Sequence, residues 1–304
     1  MIKLKNVSKS FRDIAAVRGV SFGIPGGKTT IVAGADGAGK STIFKMLVGL
    51  VRKDSGDILL NGESIGDDYA KVTAVSGYMP ERFSLYQDLS VEENLNFFSD
   101  IHRVPFNKRE ERKHRLLEKT GMLPFKKRRA GALSGGMKQK LALSCILLSA
   151  PRFIILDEPT TGVDPLSRIE FFNIIDELKE EGKTIVISTP YLDEAEQGDH
   201  IVFLKDGRVL LEDSIRHLRE SFPARLFRIL PRGNIFEIMA GLGENDAVKN
   251  NVYIRGKYIK LVQGAGDDLT HLIPHVEIEE EAPKLEDMYL YYERLEQKDI
   301  SEKI

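Results

Sequence analysis

Short apolar runs separated by turn residues dominate the first 75 residues and predict strands joined by turns. Ile31-Val32-Ala33 is one such run, and it leads into a glycine-rich stretch. The segment 41–50 that follows is apolar almost all round, which predicts a buried helix. Asp54-Ser55-Gly56 and Asn61-Gly62 bracket Ile58-Leu59-Leu60, a pattern typical of a β-hairpin.

The middle of the chain changes to charged helical sequence and then to alternating strands and helices. From Val91 to about Ala150 the pattern favours helices. Phe153–Leu156 and Thr184–Ser188 are apolar runs of strand length, and Ile169–Glu180 lies between them as a predicted helix. A strand–helix–strand order of this kind indicates a parallel sheet.

After about Ser214 the pattern changes again and predicts a small separate α+β domain over 216–304. The first 215 residues form the other predicted domain, with a helical subdomain at about 84–150. In the second domain a short helix follows a hairpin that turns at Arg255-Gly256. The other predicted elements there are strands at Ala224–Leu230, Val252–Ile254, Tyr258–Val262 and Val276–Ile278 and helices at Asn234–Leu242 and Lys284–Leu295.

Composition restricts the class of protein. The 304 residues are 42% hydrophobic and 30% charged with a net charge of −2, which is typical of a globular protein and not of a polycation that coats nucleic acid. No apolar run approaches the roughly 18 residues of a membrane span, and the N-terminus lacks a signal-peptide pattern, so we expect a cytoplasmic location. A single cysteine, Cys145, excludes an internal disulfide and any multi-cysteine metal site.

Local charge is less even than the total. The segment Arg103–Lys140 carries 13 Lys and Arg against 3 Asp and Glu, and Ala265–Ile304 carries 4 against 12. Each segment is either an ordinary solvated surface or, for the basic one, a face near a polyphosphate, a membrane or an acidic partner.

A phosphate-binding loop is predicted after the apolar run 31–33, where the sequence matches G-x-x-x-x-G-K-[ST]. Glycines let backbone N–H groups turn inward toward an anion, and the following helix offers its positive end. Lys40 would reach the β- and γ-phosphates, and the Ser41 hydroxyl would ligate Mg²⁺. A chance match is the alternative, and Gly27-Lys28-Thr29 illustrates one, since Phe22 occupies the place of its first glycine. The predicted phosphate-binding residues are Gly34, Ala35, Asp36, Gly37, Ala38, Gly39, Lys40, Ser41 and Thr42.

A second motif supplies two carboxylates. Phe153–Leu156 runs directly into Asp157 and Glu158, at the edge of a parallel sheet where ligands bind. Asp157 would hold Mg²⁺, and Glu158 would orient or deprotonate the attacking water. Alone, such a pair is more often a solvated strand end, but downstream of a phosphate loop it indicates a catalytic site.

Two further motifs, Leu133-Ser134-Gly135-Gly136-Met137 and Gly162-Val163-Asp164, complete a specific order. With them the first 215 residues resemble the ATP-binding cassette (ABC) family, and most of all the ATPase subunits of bacterial drug-resistance exporters. The resemblance implies an α/β fold, a P-loop NTPase core of ABC type with an antiparallel β subdomain and a helical subdomain. It also implies hydrolysis of ATP with Mg²⁺, coupled to transport by separate transmembrane permease subunits on the inner face of the membrane.

The resemblance further implies a head-to-tail dimer with two ATPs at the interface. Ser134, Gly135 and Gly136 would contact the γ-phosphate held by the partner, and Asp164 would align the two sites. From the residues themselves, Ser134 is predicted to cap a helix with Met137, Leu141, Cys145 and Leu148 along one side. Phe11 lies where the family stacks an aromatic ring on adenine; the alternative is a core residue of a strand.

The chain departs from the family at two positions. Glu81 replaces a glutamine, and as a carboxylate it still offers an oxygen to Mg²⁺ and water, so the expected catalytic set is Lys40, Glu81 and Glu158. Pro190 replaces a histidine that hydrogen-bonds the γ-phosphate, and proline has no donor to offer. Unless Thr189 or Tyr191 substitutes, we expect tight nucleotide binding and slow hydrolysis.

Three functions follow as hypotheses. The first is an energy-coupling ATPase with a second ATPase subunit, identical or different. The second is a non-enzymatic module in which ATP binding closes the dimer and hydrolysis occurs elsewhere, as in the hydrolysis-impaired half of an asymmetric heterodimer. The third, a cassette acting on ribosomes or DNA, finds support only in the basic segment Arg103–Lys140, so no nucleic-acid partner is expected.

Overall fold

The computed structural model describes residues 1–245, 248–249, 251–264 and 268–301. These residues divide into two compact units, Met1–Glu212 and Asp213–Ile304. The acidic segment 265–304 is covered only in part, because 265–267 and 302–304 lie outside the described residues. Within the described residues, every helix is either too short or too polar to cross a bilayer.

The regular elements follow the order that the sequence pattern indicates. The strands are β1 (Ile2–Phe11), β2 (Ile14–Ile24), β3 (Thr29–Ala33), β4 (Ser55–Leu60), β5 (Glu63–Ser64), β6 (Ser76–Met79), β7 (Phe153–Asp157), β8 (Thr184–Thr189), β9 (His200–Lys205), β10 (Arg208–Ser214), β11 (Ala224–Pro231), β12 (Val252–Arg255), β13 (Tyr258–Gly264) and β14 (His275–Glu281). The α-helices are α1 (Lys40–Leu47), α2 (Ala70–Thr73), α3 (Val91–Ile101), α4 (Phe106–Lys119), α5 (Gly135–Leu147), α6 (Pro165–Glu180), α7 (Leu192–Ala195), α8 (Ile215–Glu220), α9 (Ile235–Gly243) and α10 (Leu285–Ser301).

The first unit contains an antiparallel sheet of strand order β2-β1-β4-β5. Alternation sets its faces: Ile2 and Leu4 are buried, whereas Lys3 and Lys5 are exposed. The predicted hairpin is confirmed, because β4 pairs with β5 through Leu60 and Glu63. This sheet forms the antiparallel β subdomain.

A six-stranded sheet of order β10-β9-β3-β8-β7-β6 forms the centre of the first unit. The strands β9, β3, β8, β7 and β6 are joined by parallel pairings, which confirms the parallel sheet predicted from 153–156 and 184–188. Their apolar runs are continuous because elements cover both faces of the sheet. Parallel pairing brings the carboxyl ends of β3, β7 and β8 to one edge.

The helical subdomain contains α3, α4 and α5. Ser90 and Glu93 form a capping box at the start of α3. Ser134 caps α5 by accepting a hydrogen bond from the Met137 amide at 3.3 Å, as predicted. The expected one-sided apolar face of α5 is wrong, because every residue from Leu141 to Leu148 is buried. Helices α3, α4 and α6 and strand β6 all pack around this segment. Cys145 lies within it, and burial raises the pKa of its thiol.

The second unit is an α+β arrangement with an antiparallel sheet of order β12-β13-β11-β14. Its core is apolar, with Ile229, Ile259 and Leu261 fully buried. Part of the acidic segment pairs within this sheet: Glu280 contacts Arg225 at 2.5 Å, and Glu279 contacts Arg228. Some of its negative charge is therefore balanced across β11 and β14.

Candidate nucleotide-binding site

The loop between β3 and α1 has a backbone that only glycine accommodates at several positions. Gly37 and Gly39 have φ angles of 84° and 102°, in the left-handed region. A Cβ at Gly39 would lie 2.6 Å from the Ala16 carbonyl oxygen, and a Cβ at Gly34 would lie 2.3 Å from the Leu204 carbonyl oxygen. Both distances are too short for a side chain to be accommodated. Gly39 begins α1 without a side-chain cap, so the first N–H groups of the helix remain for a ligand.

A cleft of about 510 Å³ opens above this loop, at the edge where β3, β7 and β8 end. Ala35 and Asp36 are exposed, and Asp36 lines the cleft, while Ala38 is buried. The cleft brings together residues from four separate parts of the sequence. Its lining consists of Ala16, Asp36, Gly37, Gly39, Lys40, Ser41, Thr42, Glu81, Glu158 and Thr161.

Lys40 is held at the base of this cleft with only 3% of its surface exposed. Its ammonium donates to the carbonyl oxygens of Gly34 at 2.8 Å and Ala35 at 3.1 Å. The same nitrogen lies 3.2 Å from Oε1 of Glu158. The cation and the carboxylate proposed as base therefore face each other.

Glu158 is fixed by unusual backbone geometry. Its φ of 49° places a non-glycine residue in the left-handed region, where backbone strain is common at functional sites. The Glu158 amide donates to the Ser188 hydroxyl at 2.9 Å and its carbonyl at 3.2 Å. The Thr161 hydroxyl donates to Oε2 of Glu158 at 3.2 Å.

Two of the three residues predicted to hold Mg²⁺, Ser41 and Asp157, are adjacent, and the third, Glu81, lines the same cleft as Ser41. The Ser41 hydroxyl donates to Oδ1 of Asp157 at 3.0 Å. Hydroxyl and carboxylate oxygens are ligands that Mg²⁺ prefers, with phosphate and water supplying the rest. The donor set therefore fits this ion. Among the described residues, no group of three His, Cys, Asp or Glu side chains is arranged for a metal, so phosphate and water ligands would be needed.

Two residues that the motifs do not reveal support Asp157. The Ser188 hydroxyl donates to Oδ1 at 2.6 Å, and the Tyr78 hydroxyl donates to Oδ2 at 3.4 Å. Burial and the nearby Asp157 charge raise the pKa of Tyr78, which keeps its phenol protonated as a donor. Ser188 could have been found from topology, since it pairs with Asp157 across the parallel strands β7 and β8.

The motif Leu133–Met137, called the signature segment below, lies outside this cleft. A Cβ at Gly135 would lie 3.6 Å from the Gly162 carbonyl oxygen, and a Cβ at Gly136 would lie 2.4 Å from the Cβ of Ser167. The segment therefore packs closely on the start of α6. Asp164 caps α6 by accepting a hydrogen bond from the Ser167 amide at 3.0 Å. Hydrogen bonds from the backbone and side chain of Ser167 lower the pKa of the Asp164 carboxyl. Neither Asp164 nor Ser134 lines the cleft.

Phe11 stands at the exposed end of β1, where it pairs with Ile14. Its ring is 45% exposed, and the Lys9 ammonium lies 5.4 Å from the ring centroid. The alternative that Phe11 is a core residue is therefore wrong. Stacking on adenine stays a prediction.

Comparison with known proteins agrees with this geometry. The family model described as "ABC transporter" matches residues 17–161. The lantibiotic transport ATP-binding protein SrtF of Streptococcus pyogenes is 38% identical over 227 residues, which cover 73% of this chain and 96% of that protein. The chain belongs to the ABC ATPase family. Its fold is accordingly the P-loop fold of ABC cassettes.

A longer relative of this ABC cassette covers nearly the whole chain. The probable multidrug ABC transporter ATP-binding protein YbhF of Escherichia coli is 38% identical over 299 residues, which make up 95% of this chain. The chain spans only about half, 51%, of the length of that relative. The match includes the second unit, which the ABC transporter model does not.

Solved structures of ABC cassettes share the fold. The structure of an ATP-binding subunit of an ABC transporter matches with a TM-score of 0.64 and 30% identity, covering 73% of this chain and 93% of that one. A dimeric post-hydrolysis structure of the cassette MJ0796, bound to ADP and Pi, also gives a TM-score of 0.64, at 27% identity. It covers 71% of this chain and 99% of that one.

The segment around Pro190 bears on the alternative that Thr189 or Tyr191 takes over the histidine's role in this ABC cassette. The Thr189 hydroxyl is buried and donates to Oε2 of Glu194 at 2.6 Å, so its proton is already engaged. The Tyr191 ring lies under the Arg168 guanidinium, 4.6 Å from the ring centroid. In this conformation the Thr189 hydroxyl is not free to replace a γ-phosphate donor, and substitution by Tyr191 stays a prediction.

Proposed function

We propose that this chain is the ATP-binding and ATP-hydrolysing part of an ABC exporter, and that it drives transport through separate transmembrane permease subunits. One observation carries the proposal: Lys40, Ser41 and Glu158 line a single cleft above a glycine loop, and Asp157 is hydrogen-bonded to Ser41 beside it. The names of relatives that transport lantibiotics or multiple drugs support export as the direction.

Binding follows from the loop and its lysine. The free N–H groups at the start of α1 and the Lys40 ammonium would hold the β- and γ-phosphates. Ser41 and Asp157 would hold Mg²⁺, which when bound offsets the negative charge of the phosphates. The γ-phosphate would attract Lys40 away from Glu158, which leaves the Glu158 carboxylate available as a base.

Hydrolysis then needs one proton acceptor and one water. Glu158, with Glu81 in the lining of the same cleft, would orient a water molecule against the γ-phosphorus. As the water oxygen bonds to phosphorus, Glu158 takes its proton and the bond to the β-phosphate oxygen breaks, which gives ADP and phosphate.

The position of the signature segment supports a dimer. Ser134–Gly136 and Asp164 are adjacent to each other but outside the cleft of their own chain. In a head-to-tail dimer they would close the cleft of a second ATPase subunit, identical or different. The related cassette structure MJ0796 is described as dimeric with ADP and Pi bound.

Titration of the full chain with MgATP in a calorimeter tests the proposal directly. We expect saturable binding with a Kd between about 1 μM and 1 mM, the common range for enzyme substrates. AMP, which lacks the β- and γ-phosphates, is the matched control ligand and should bind far more weakly. A chain that shows no heat with millimolar MgATP, alone or with its permease, would contradict the proposal.

A second candidate function is favoured by Pro190: the chain could be the hydrolysis-impaired half of an asymmetric ABC heterodimer. The phosphate loop of this chain would hold ATP at a slow site. Its intact signature, Leu133–Met137, would complete a competent site on a different partner.

Replacing Pro190 by histidine distinguishes the two candidates. If the slow site lacks only this donor, Pro190→His should raise the ATPase rate by about 10²- to 10³-fold, the usual value of one preorganised donor to developing charge. Release of phosphate from MgATP measures the change, and Pro124→His, on an exposed surface, is the control. Vigorous hydrolysis by the unmodified chain, or no gain from histidine, would argue against asymmetry.

A further inference from the structure

A buried carboxylate joins the segments behind the cleft. Glu194 on α7 has only 4% of its surface exposed. Its Oε1 accepts a hydrogen bond from the Thr160 hydroxyl at 2.6 Å, and its Oε2 accepts one from the Thr189 hydroxyl at 2.6 Å. The Arg168 guanidinium lies 3.4 Å from Oε1 and is its charge partner. Each threonine is 1% exposed, so the three polar groups are bonded away from water.

Each of these partners lies on a different functional segment. Thr160 is two residues beyond Glu158, in the loop that leads to Asp164. Thr189 ends β8, directly after the serine that holds Asp157 and the Glu158 amide. Arg168 lies one turn into α6, where its Nε donates to the Val163 carbonyl at 2.9 Å. Glu194 thus ties the loop 158–164 to the end of β8 and to the start of α6.

Burying a carboxylate in this arrangement costs free energy, which raises the question of what role it serves. An ionised carboxylate buried among apolar side chains is unfavourable, and a well-packed apolar residue often stabilises a fold equally well. Hydrogen bonds from hydroxyl groups to a charged carboxylate are short and directional, so they hold positions more narrowly than apolar contacts do. The two 2.6 Å bonds are of this kind.

We propose that Glu194 is a positioning residue for ATP hydrolysis. It holds the loop 158–164 against the end of β8, so that the strained Glu158 and the α6 cap Asp164 keep their orientation. Pro190 supplies no N–H at this end of β8, so the hydrogen bond from Thr189 to Glu194 adds a side-chain contact to the backbone pairing of Thr189 with β3. This inference rests on the proposed function, since it concerns the rate of the same reaction.

Single-turnover hydrolysis and nucleotide affinity, measured on the same full-length variants, separate positioning from folding. Glu194→Ala should lower the rate of hydrolysis of bound ATP by about 10- to 100-fold, since small misplacements of a reacting group have effects of this size. Its Kd for MgATP should stay within about threefold of the unmodified value, because the phosphate loop keeps its own contacts. Asp193→Asn, on the exposed side of the same helix, is the control and should change neither quantity.

Conservative variants test whether the hydrogen bonds of Glu194 account for its effect on the rate. Glu194→Gln keeps the shape and one acceptor, and a threonine hydroxyl can turn to accept from the new amide, so it should recover part of the rate lost in Glu194→Ala. Thr160→Val removes the hydrogen bond to Oε1 of Glu194. Thr189→Val removes the one to Oε2 and also the one that the Tyr191 amide donates to the Thr189 hydroxyl. Their effects on the rate should be much smaller when Glu194 is already alanine, which is the non-additivity expected for groups acting as one unit.

The outcomes separate this inference from the proposed function. A chain that does not bind MgATP contradicts the proposed function. If the chain binds MgATP but Glu194→Ala hydrolyses bound ATP at the unmodified rate, the inference alone is overturned, even when thermal melting shows lower stability. Bound ATP that stays intact on the unmodified chain overturns it equally, because there is then no hydrolysis for Glu194 to support.

Discussion

Glu158→Gln is expected to slow ATP hydrolysis by about 10²- to 10⁴-fold while MgATP remains bound, the loss typical when a general base is removed. Glutamine keeps the size of the side chain but cannot accept the proton of the attacking water. It also removes the ion pair that joins Lys40 to Glu158 at 3.2 Å. Since triphosphate competes with that pair for Lys40, the affinity for MgATP should hold or improve.

Single-turnover phosphate release and calorimetry of MgATP binding check the two parts of this prediction for Glu158→Gln. Glu180→Gln makes the same chemical change on the exposed surface of α6 and should leave the rate unaltered. A Glu158→Gln rate within threefold of the unmodified chain would show that another group accepts the proton. Glu81, on the same cleft, would then be the residue to replace next.

Lys40→Met is expected to weaken MgATP binding by about 100-fold. The buried ammonium is the one lysine among the residues that line the cleft. Loss of a hydrogen-bonded contact with a charged group is worth about 3 kcal/mol, which converts to about a 100-fold change in Kd. Methionine keeps the length and apolar stem of the side chain, so the loop keeps its packing.

Calorimetry with MgATP measures the loss, and circular dichroism establishes that the variant is folded. Lys45→Met, on the exposed face of the same helix, removes an equal charge from α1 and serves as the control. If Lys40→Met binds MgATP as the unmodified chain does, the cleft is not where the phosphates lie. Equal weakening in both variants would point instead to the general positive charge of the helix.

Most of the structural features that the sequence predicted correctly depend on local motifs. The left-handed glycines of the phosphate loop, the Ser134 cap and the β4–β5 hairpin each depend on a few neighbouring residues, so the sequence pattern suffices for them. The parallel sheet was also predictable, because a helix between two apolar strands leaves few other connections. The roles of Phe11, Glu81 and Asp164 remain predictions from the family resemblance.

Long-range contacts explain what sequence pattern did not show. From its sequence context Glu194 is predicted to be an ordinary exposed acidic residue. In the structure the hydroxyls of Thr160 and Thr189, 29 positions apart in sequence, both donate to its carboxylate. The all-round burial of the segment 141–148 results from three helices and a strand that pack on α5. Tyr78 likewise reaches Asp157 only because β6 and β7 are neighbours.

Cys145 makes the chain convenient for spectroscopy. Thiol reagents attack the thiolate, and this side chain is both sealed within α5 and kept protonated by its surroundings. A cysteine introduced on an exposed surface would therefore be the only one that a maleimide dye or a nitroxide reaches. Distances between two such labels could follow how a pair of chains closes around nucleotide, without first removing a native thiol.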